Sequence, residues 1–168
     1  DLMRKRSERS VTMLDPNIRP SFISHEPSYR TRLGEMIAYS DILKLSDEDL
    51  NWLVPDDQDT KAQIEKLIGA SNKLVLITKG SEGADAFQAG KKIATASSPK
   101  VEVKDTVGAG DTFNAGLLHS LTQNRALTKQ NCRSPDVLIL NEALAYATKA
   151  ASMTVSRKGA NPPWHSEL

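Results

Sequence analysis

Residues 105–118 read Asp-Thr-Val-Gly-Ala-Gly-Asp-Thr-Phe-Asn-Ala-Gly-Leu-Leu, and no other stretch restricts the fold and chemistry of this chain so narrowly. Gly108-Ala109-Gly110 is a turn of small residues. It runs directly into helical spacing, with Phe113, Leu117 and Leu121 recurring every fourth position. Glycine lets a backbone turn tightly and aim its N–H groups at one point. A helix start adds partial positive charge there, which suits an anion such as phosphate. An aspartate at that junction, Asp111, is electrostatically awkward unless it handles a proton. The combination predicts phosphoryl transfer to a hydroxyl, with Asp111 as the base. A plain strand-to-helix connection is the competing reading of a Gly-Ala-Gly taken alone. Other glycine-loop chemistries fail on the residues. A dinucleotide fingerprint needs Gly or Ala where Phe113 stands, and a P-loop needs Gly-Lys-Ser/Thr after its spacer.

The rest of the chain alternates strand and helix signals. Residues 2–10 carry helical spacing, and Val11-Thr-Met-Leu14 reads as a short buried strand closed by Asp15-Pro16-Asn17. A helix is expected over residues 28–39, with Leu33, Met36 and Ile37 on one face, then a strand at Ile42–Leu45 and a short helix from Ser46. A polar loop at 55–59 precedes a helix over 60–69, with Ile64, Leu67 and Ile68 inward. Leu74–Ile77 is a third buried strand. Strands near 83–88 and 91–96 flank Gly90 as a hairpin. Residues 123–134 read as a polar connection. Ser134-Pro135 reads as an N-cap with proline at the first helical position, opening an alanine-rich, buried helix to about residue 155. Strands alternating with helices predict an α/β fold with a mostly parallel sheet covered on both faces.

Several loops that leave strand ends carry polar groups, and open α/β sheets place ligands there. Asp15, Asn17 and Arg19 lie on a proline-stiffened loop that suits a substrate hydroxyl or a phosphate; an Asx turn with an exposed arginine is the plain alternative. Lys44-Leu-Ser-Asp-Glu-Asp49 contains Ser46-x-x-Asp49, a helix capping box. The glycines of Thr78-Lys-Gly80-Ser-Glu-Gly83 allow close backbone approach to a ligand, and equally form an ordinary turn before a hairpin. His25, His119 and His165 show no metal spacing with one another or with Cys132, and Trp52 and Trp164 read as packing residues.

The 105–118 stretch resembles the second signature of the ribokinase-like (PfkB) carbohydrate kinases, and every position of it fits. The resemblance implies a ribokinase-like three-layer α/β/α sandwich with a mostly parallel central sheet. It implies ATP-dependent phosphorylation of a primary sugar hydroxyl, with Asp111 as catalytic base and Gly108, Ala109 and Gly110 as anion hole. The Asp15–Pro20 hexapeptide is similar to the loop of fructokinases and of 2-keto-3-deoxygluconate kinases, which makes Asp15, Asn17 and Arg19 substrate- or phosphate-binding candidates. By the same resemblance Lys44, Thr78, Gly80, Gly83 and Asn141 are ATP-binding candidates, with Ala145 beside Asn141. A family motif of Asn, two spacers and Glu organises Mg²⁺ through water. Ser46 and Asp49 stand at its positions here, the acid one carbon shorter. Residues 156–162 look like the family's terminal loop, where the backbone of Asp105, Val107 and Gly159 would hold a monovalent cation such as K⁺. The resemblance to fructokinases implies D-fructose as the favoured acceptor. 2-Keto-3-deoxygluconate, ribose or a nucleoside are the alternatives within the family, and a non-catalytic nucleotide-binding fragment is the alternative outside enzyme chemistry.

The resemblance covers residues 1–168 as the C-terminal part of a single kinase domain, without the preceding half and its lid. A fragment of a longer kinase, or an incomplete sequence of one, is therefore expected; these residues alone would be inactive, and any homodimer would pair through the lid. The formal net charge of +1 implies no nucleic-acid partner. No long apolar run implies a membrane span. One cysteine, Cys132, read as an incidental thiol in a polar loop, fits a reducing cytoplasm. The Lys/Arg cluster over residues 4–9 reads as a solvated helix face.

Overall fold

The computed structural model describes residues 2–55 and 59–168; the middle of the predicted 55–59 loop lies outside the described residues. The chain divides into two compact units. The first comprises residues 1–78, 86–93 and 128–134, and the second residues 79–85, 94–127 and 135–168. Among the described residues the strands form a five-stranded sheet in the order β1-β2-β3-β4-β5: Met13–Leu14, Ile42–Ser46, Leu74–Thr78, Ala84–Gln88 and Lys91–Ala96. β1, β2 and β3 run parallel, with Met13 opposite Ile42 and Ile42 opposite Leu74. The strand–helix alternation of the sequence predicts this α/β arrangement.

In the first unit, β2 and β3 are buried along nearly their whole length. A strand covered on both faces does not alternate polar with apolar side chains, hence the apolar run Leu-Val-Leu-Ile in β3 and Ile-Leu-Lys-Leu in β2, where Lys44 is the one charged exception. Leu43, Leu45, Val75 and Ile77 join Leu33 and Ile37 of helix α2 (Glu26–Tyr39), Leu50 of α3 (Asp47–Leu53) and Ile64 of α4 (Thr60–Ile68) in one core. Each such side chain contributes roughly 1.5–3 kcal/mol through burial. Helix α1 is short, Leu2–Arg6, and presents Met3 to this core. The 89–90 turn of the hairpin carries positive φ at both residues, Ala89 (47°) and Gly90 (72°). A two-residue hairpin loop of this twist requires that geometry.

In the second unit, α5 (Ala109–Gln123) packs on α7 (Val137–Val155). Gly116 permits the close approach, since a Cβ there would lie 3.1 Å from Ala147 Cα. Phe113, Leu117 and Leu121 are buried, as their spacing predicts. The predicted start of α7 is corrected. Asp136, not Ser134, is the N-cap, its carboxylate accepting from Leu138 N–H (2.8 Å) and Ile139 N–H (3.3 Å). Ser134 instead closes α6 (Lys129–Arg133), which the polar 123–134 segment concealed. Nor is α7 buried all round: Leu138 is 76 % exposed. Trp164 is 79 % exposed and is not a packing residue. Trp52 does pack, edge-on to Tyr29 (centroids 5.9 Å) and under the Arg30 guanidinium at 3.7 Å. Cys132 is buried in α6 of the first unit rather than lying in an open loop, and burial pushes its thiol up to about 11.

Candidate functional site

The predicted site residues fall into both units, and each unit arranges its own set. In the first, Lys44 projects from the buried strand β2 and is itself buried. A buried ammonium requires a partner, and Lys44 Nζ meets Asp15 Oδ2 at 3.1 Å. The loop that follows Asp15 turns through Asn17, whose φ of 44° is left-handed. Asparagine is among the few non-glycine residues that accept that conformation. Ile18 then drops into the core, and Arg19 lies exposed with Nη1 donating to Ile18 O at 2.9 Å.

The capping box read at Ser46 is present: Ser46 Oγ accepts from Asp49 N–H (3.0 Å), and Asp49 Oδ2 accepts from Ser46 N–H (3.1 Å). A bond not legible in the sequence joins it, from Ile18 N–H to Asp49 Oδ1 at 2.8 Å. Asp49 is buried, and both its oxygens are engaged by backbone donors. That arrangement fits a Mg²⁺-water ligand poorly, because a hard cation seeks exposed carboxylate lone pairs. At the end of β3, Thr78 Oγ1 donates to Leu45 O at 3.4 Å.

In the second unit, the turn after β3 closes on itself: Lys79 N–H donates to Gly83 O at 2.8 Å. Gly80 (φ 53°) and Gly83 (φ 103°) supply backbone angles that other residues resist. Lys79 Nζ pairs with Asp85 at 3.1 Å, and Asp85 accepts from Thr95 Oγ1 at 2.6 Å. Asn141, read as a nucleobase contact, has other engagements. Its Oδ1 accepts from Thr95 N–H (3.2 Å) and its Nδ2 donates to Val137 O (2.8 Å), which leaves one N–H for a ligand.

The signature turn is built around Gly108, whose φ of 80° makes it a left-handed N-cap for α5. Thr112 donates the first ladder bond, to Gly108 O at 2.9 Å. Gly110 and Asp111 lie in the first turn, where an α-helix offers N–H groups no internal acceptor. The Ala109 N–H leans on Thr106 O at 3.3 Å. Asp111 occupies the third helical position and is exposed. It opens onto a pocket of about 380 Å³ shared with Thr112, Gly116, His119, Tyr146 and Pro162. His119 stacks on Tyr146 (5.5 Å between centroids) and lies 5.5 Å from the His165 ring. Sequence reasoning gave these histidines no place. The available signal was spacing: His119 falls two helical turns after Asp111, on the same face.

Asp105 ties the signature loop to the terminal loop. Its carboxylate accepts from Val107 N–H (3.0 Å) and Gly159 N–H (2.9 Å), and these bonds hold its pKa below the usual carboxylate value. These two bonds bring the backbone of residues 105–107 and of Gly159 to one carboxylate. No cluster of three or more His, Cys, Asp or Glu side chains able to hold a metal occurs among the described residues. None of the described helices is long and apolar enough to cross a membrane.

The family model described as "pfkB family carbohydrate kinase" matches residues 1–167. A fructokinase of Rhizobium leguminosarum bv. trifolii is 48% identical over 136 residues, covering 80% of this chain and 41% of that protein. An aminoimidazole riboside kinase structure from Salmonella enterica superposes with TM-score 0.80 at 25% identity, covering 98% of this chain and 53% of that one. A Vibrio cholerae O395 fructokinase double mutant, in its fructose-, ADP- and potassium-bound form, gives TM-score 0.78 at 23% identity, covering 94% of this chain and 48% of that one. These likenesses show the ribokinase-like fold. The chain spans less than half the length of the curated relatives it matches.

Proposed function

We propose that this chain, which belongs to the pfkB family of carbohydrate kinases, carries the ATP-binding and catalytic-base part of a sugar kinase, with D-fructose as the favoured acceptor. The observation that carries the reading is the signature turn: a left-handed Gly108 starts α5 so that an exposed Asp111 stands among first-turn N–H groups. Asp111 accepts the proton of a primary hydroxyl as that oxygen attacks the γ-phosphorus. The bond to the β,γ-bridging oxygen breaks, and ADP leaves. N–H groups of residues 108–110 meet the charge that builds on the phosphoryl oxygens.

Roles follow for the remaining candidates. Asp15, Asn17 and Arg19 take the acceptor and phosphate. Lys44, Thr78, Gly80, Gly83 and the remaining N–H of Asn141 serve the nucleotide. Mg²⁺ on the triphosphate would neutralise phosphate charge, and no side chain of this chain is assigned to it. The backbone carbonyls of Asp105, Val107 and Gly159 would hold K⁺, a reading supported by the potassium named for the Vibrio cholerae neighbour. A nucleoside-like acceptor is the second reading, favoured by the likeness to the aminoimidazole riboside kinase.

The test is ADP release by the natural protein across fructose, 2-keto-3-deoxygluconate, ribose and a nucleoside. Asp111→Asn should lower kcat by about 10²–10⁴-fold with nucleotide affinity little changed. Turnover within about threefold of wild type would remove Asp111 as the base.

A further inference from the structure

The acid at the start of α3 reaches well beyond its own helix. Asp49 Oδ2 closes the capping box with Ser46, while Oδ1 accepts from Ile18 N–H at 2.8 Å, across 31 positions of sequence. The residue is only 5 % exposed. A carboxylate is tolerated in such a place when donors meet its oxygens, and here backbone N–H groups meet both. Ile18 is itself a core residue. It lies between Asn17, held in the left-handed region, and Arg19, whose guanidinium folds back onto Ile18 O. A left-handed non-glycine residue persists only where its surroundings over-determine it. One side of Asn17 is fixed by the Asp15–Lys44 pair and the other by the Asp49–Ile18 bond.

We propose that Asp49 is the positioning residue of the acceptor loop. Through the Ile18 N–H it sets the backbone from which Asn17 and Arg19 are presented, and it does not ligate Mg²⁺ or its waters. The proposal rests on the sugar-kinase reading above, in which the 15–19 loop takes the acceptor. Both Asp49 oxygens are already engaged and lie out of solvent, so the carboxylate is spent on the loop and on the cap.

Asp49→Asn keeps the shape and leaves one acceptor oxygen where there were two, so either Ile18 N–H or Ser46 N–H loses its partner. In the natural protein it should raise the acceptor KM about tenfold or more. The Mg²⁺ concentration for half-maximal rate should stay within about twofold of wild type. Hydrogen exchange at the Ile18 amide should accelerate at least about tenfold, a readout independent of activity. Thr128→Ala, which removes the N-cap of α6, serves as control for lost stability. It should leave the acceptor KM and the Ile18 exchange unchanged.

A rise in the Mg²⁺ requirement with the acceptor KM unmoved would overturn the proposal, as would unchanged Ile18 exchange. An equal rise in KM for Thr128→Ala would overturn it too, by tracing the effect to stability alone. Absence of sugar-dependent ADP release from the wild type would overturn the sugar-kinase reading instead. The Ile18 exchange would then still decide whether Asp49 holds the loop.

Discussion

Replacing Gly83 by alanine should be far more damaging than the same change at Gly80, three residues away in the same turn. Both glycines have positive φ, 103° and 53°. Alanine at Gly80 meets nothing within 4 Å, so its cost is that of one left-handed residue, about 1–2 kcal/mol. Gly83 differs twice over. Its φ of 103° and ψ of −136° lie in a region that side chains avoid, at about 1–3 kcal/mol. Its Cβ would also fall 2.0 Å from Ala96 O, 2.8 Å from Ser98 N and 2.9 Å from Ser97 Cα. All three are backbone atoms, so no side chain can swing aside, and the end of β5 must move. Overpacking of that kind costs a further 1–3 kcal/mol or so, making about 4 kcal/mol in the middle of the range. A chain of this length loses roughly 2–4 °C of Tm per kcal/mol. Thermal unfolding followed by circular dichroism should therefore place Gly83→Ala about 8–16 °C below wild type, and Gly80→Ala about 2–8 °C below. A Tm for Gly83→Ala within about 2 °C of that for Gly80→Ala would refute the close packing of this turn on the end of β5.

The Lys129–Asp41 pair should contribute stability that depends on pH. Burial pushes the Asp41 carboxyl up, but the Lys129 ammonium at 2.7 Å and the Thr12 N–H and hydroxyl outweigh it and hold the pKa below its ordinary value. A depressed folded-state pKa stabilises above the unfolded value near 3.9, and the benefit disappears as pH falls through the folded one. Lys129→Ala should thus lose about 1–3 kcal/mol in urea unfolding at pH 7, with the gap to wild type shrinking near pH 3. An equal gap at both pH values would exclude the pair as its source. Cys132, its thiol pushed up to about 11 from an ordinary 9.0, should be nearly inert in the folded chain. At pH 8 that shift leaves about a hundredfold less thiolate, so disulfide-exchange labelling should accelerate at least about a hundredfold in denaturant. Equal rates folded and unfolded would show the thiol to be open.

The parts legible in the sequence are those governed by near neighbours in the chain. β3 announces itself as a continuous apolar run, and β2 as one broken by Lys44. The Ser46–Asp49 box is a local pattern, and so is the four-residue recurrence that buries Phe113, Leu117 and Leu121. Helix α6 escaped because Lys-Gln-Asn-Cys-Arg has no apolar period; a Thr128 cap and the burial of one side chain, Cys132, hold it. Two cap candidates near α7, Ser134 and Asp136, compete, and the carboxylate that reaches two N–H groups prevails. What the sequence withheld are bonds between remote segments. Ile18 to Asp49 and Asp105 to Gly159 span 31 and 54 positions, and no propensity or spacing rule points one partner at the other.

Those remote bonds also bear on which aspartate can act as a base. Asp105 accepts from two backbone N–H groups, which favours its anion and opposes proton uptake. Asp49 is buried with each oxygen already accepting from the backbone, so an incoming hydroxyl cannot reach it. Asp15 is already engaged by the Lys44 ammonium at 3.1 Å, on a strand-end loop rather than at a helix start. Asp111 alone among these four stands exposed in the first turn of a helix, over N–H groups that the helix leaves without acceptors. A general base must offer a lone pair to the alcohol proton while the transferring group is held at its side. Of the four, Asp111 is the one left open to an incoming hydroxyl, which is what the proposed base requires, and α5 starts there because Gly108 can take a φ of 80° at the N-cap. An L-residue there would disfavour that left-handed angle, and its Cβ would lie 3.1 Å from the Ala160 methyl. The position of the acid thus depends on the glycine three residues before it.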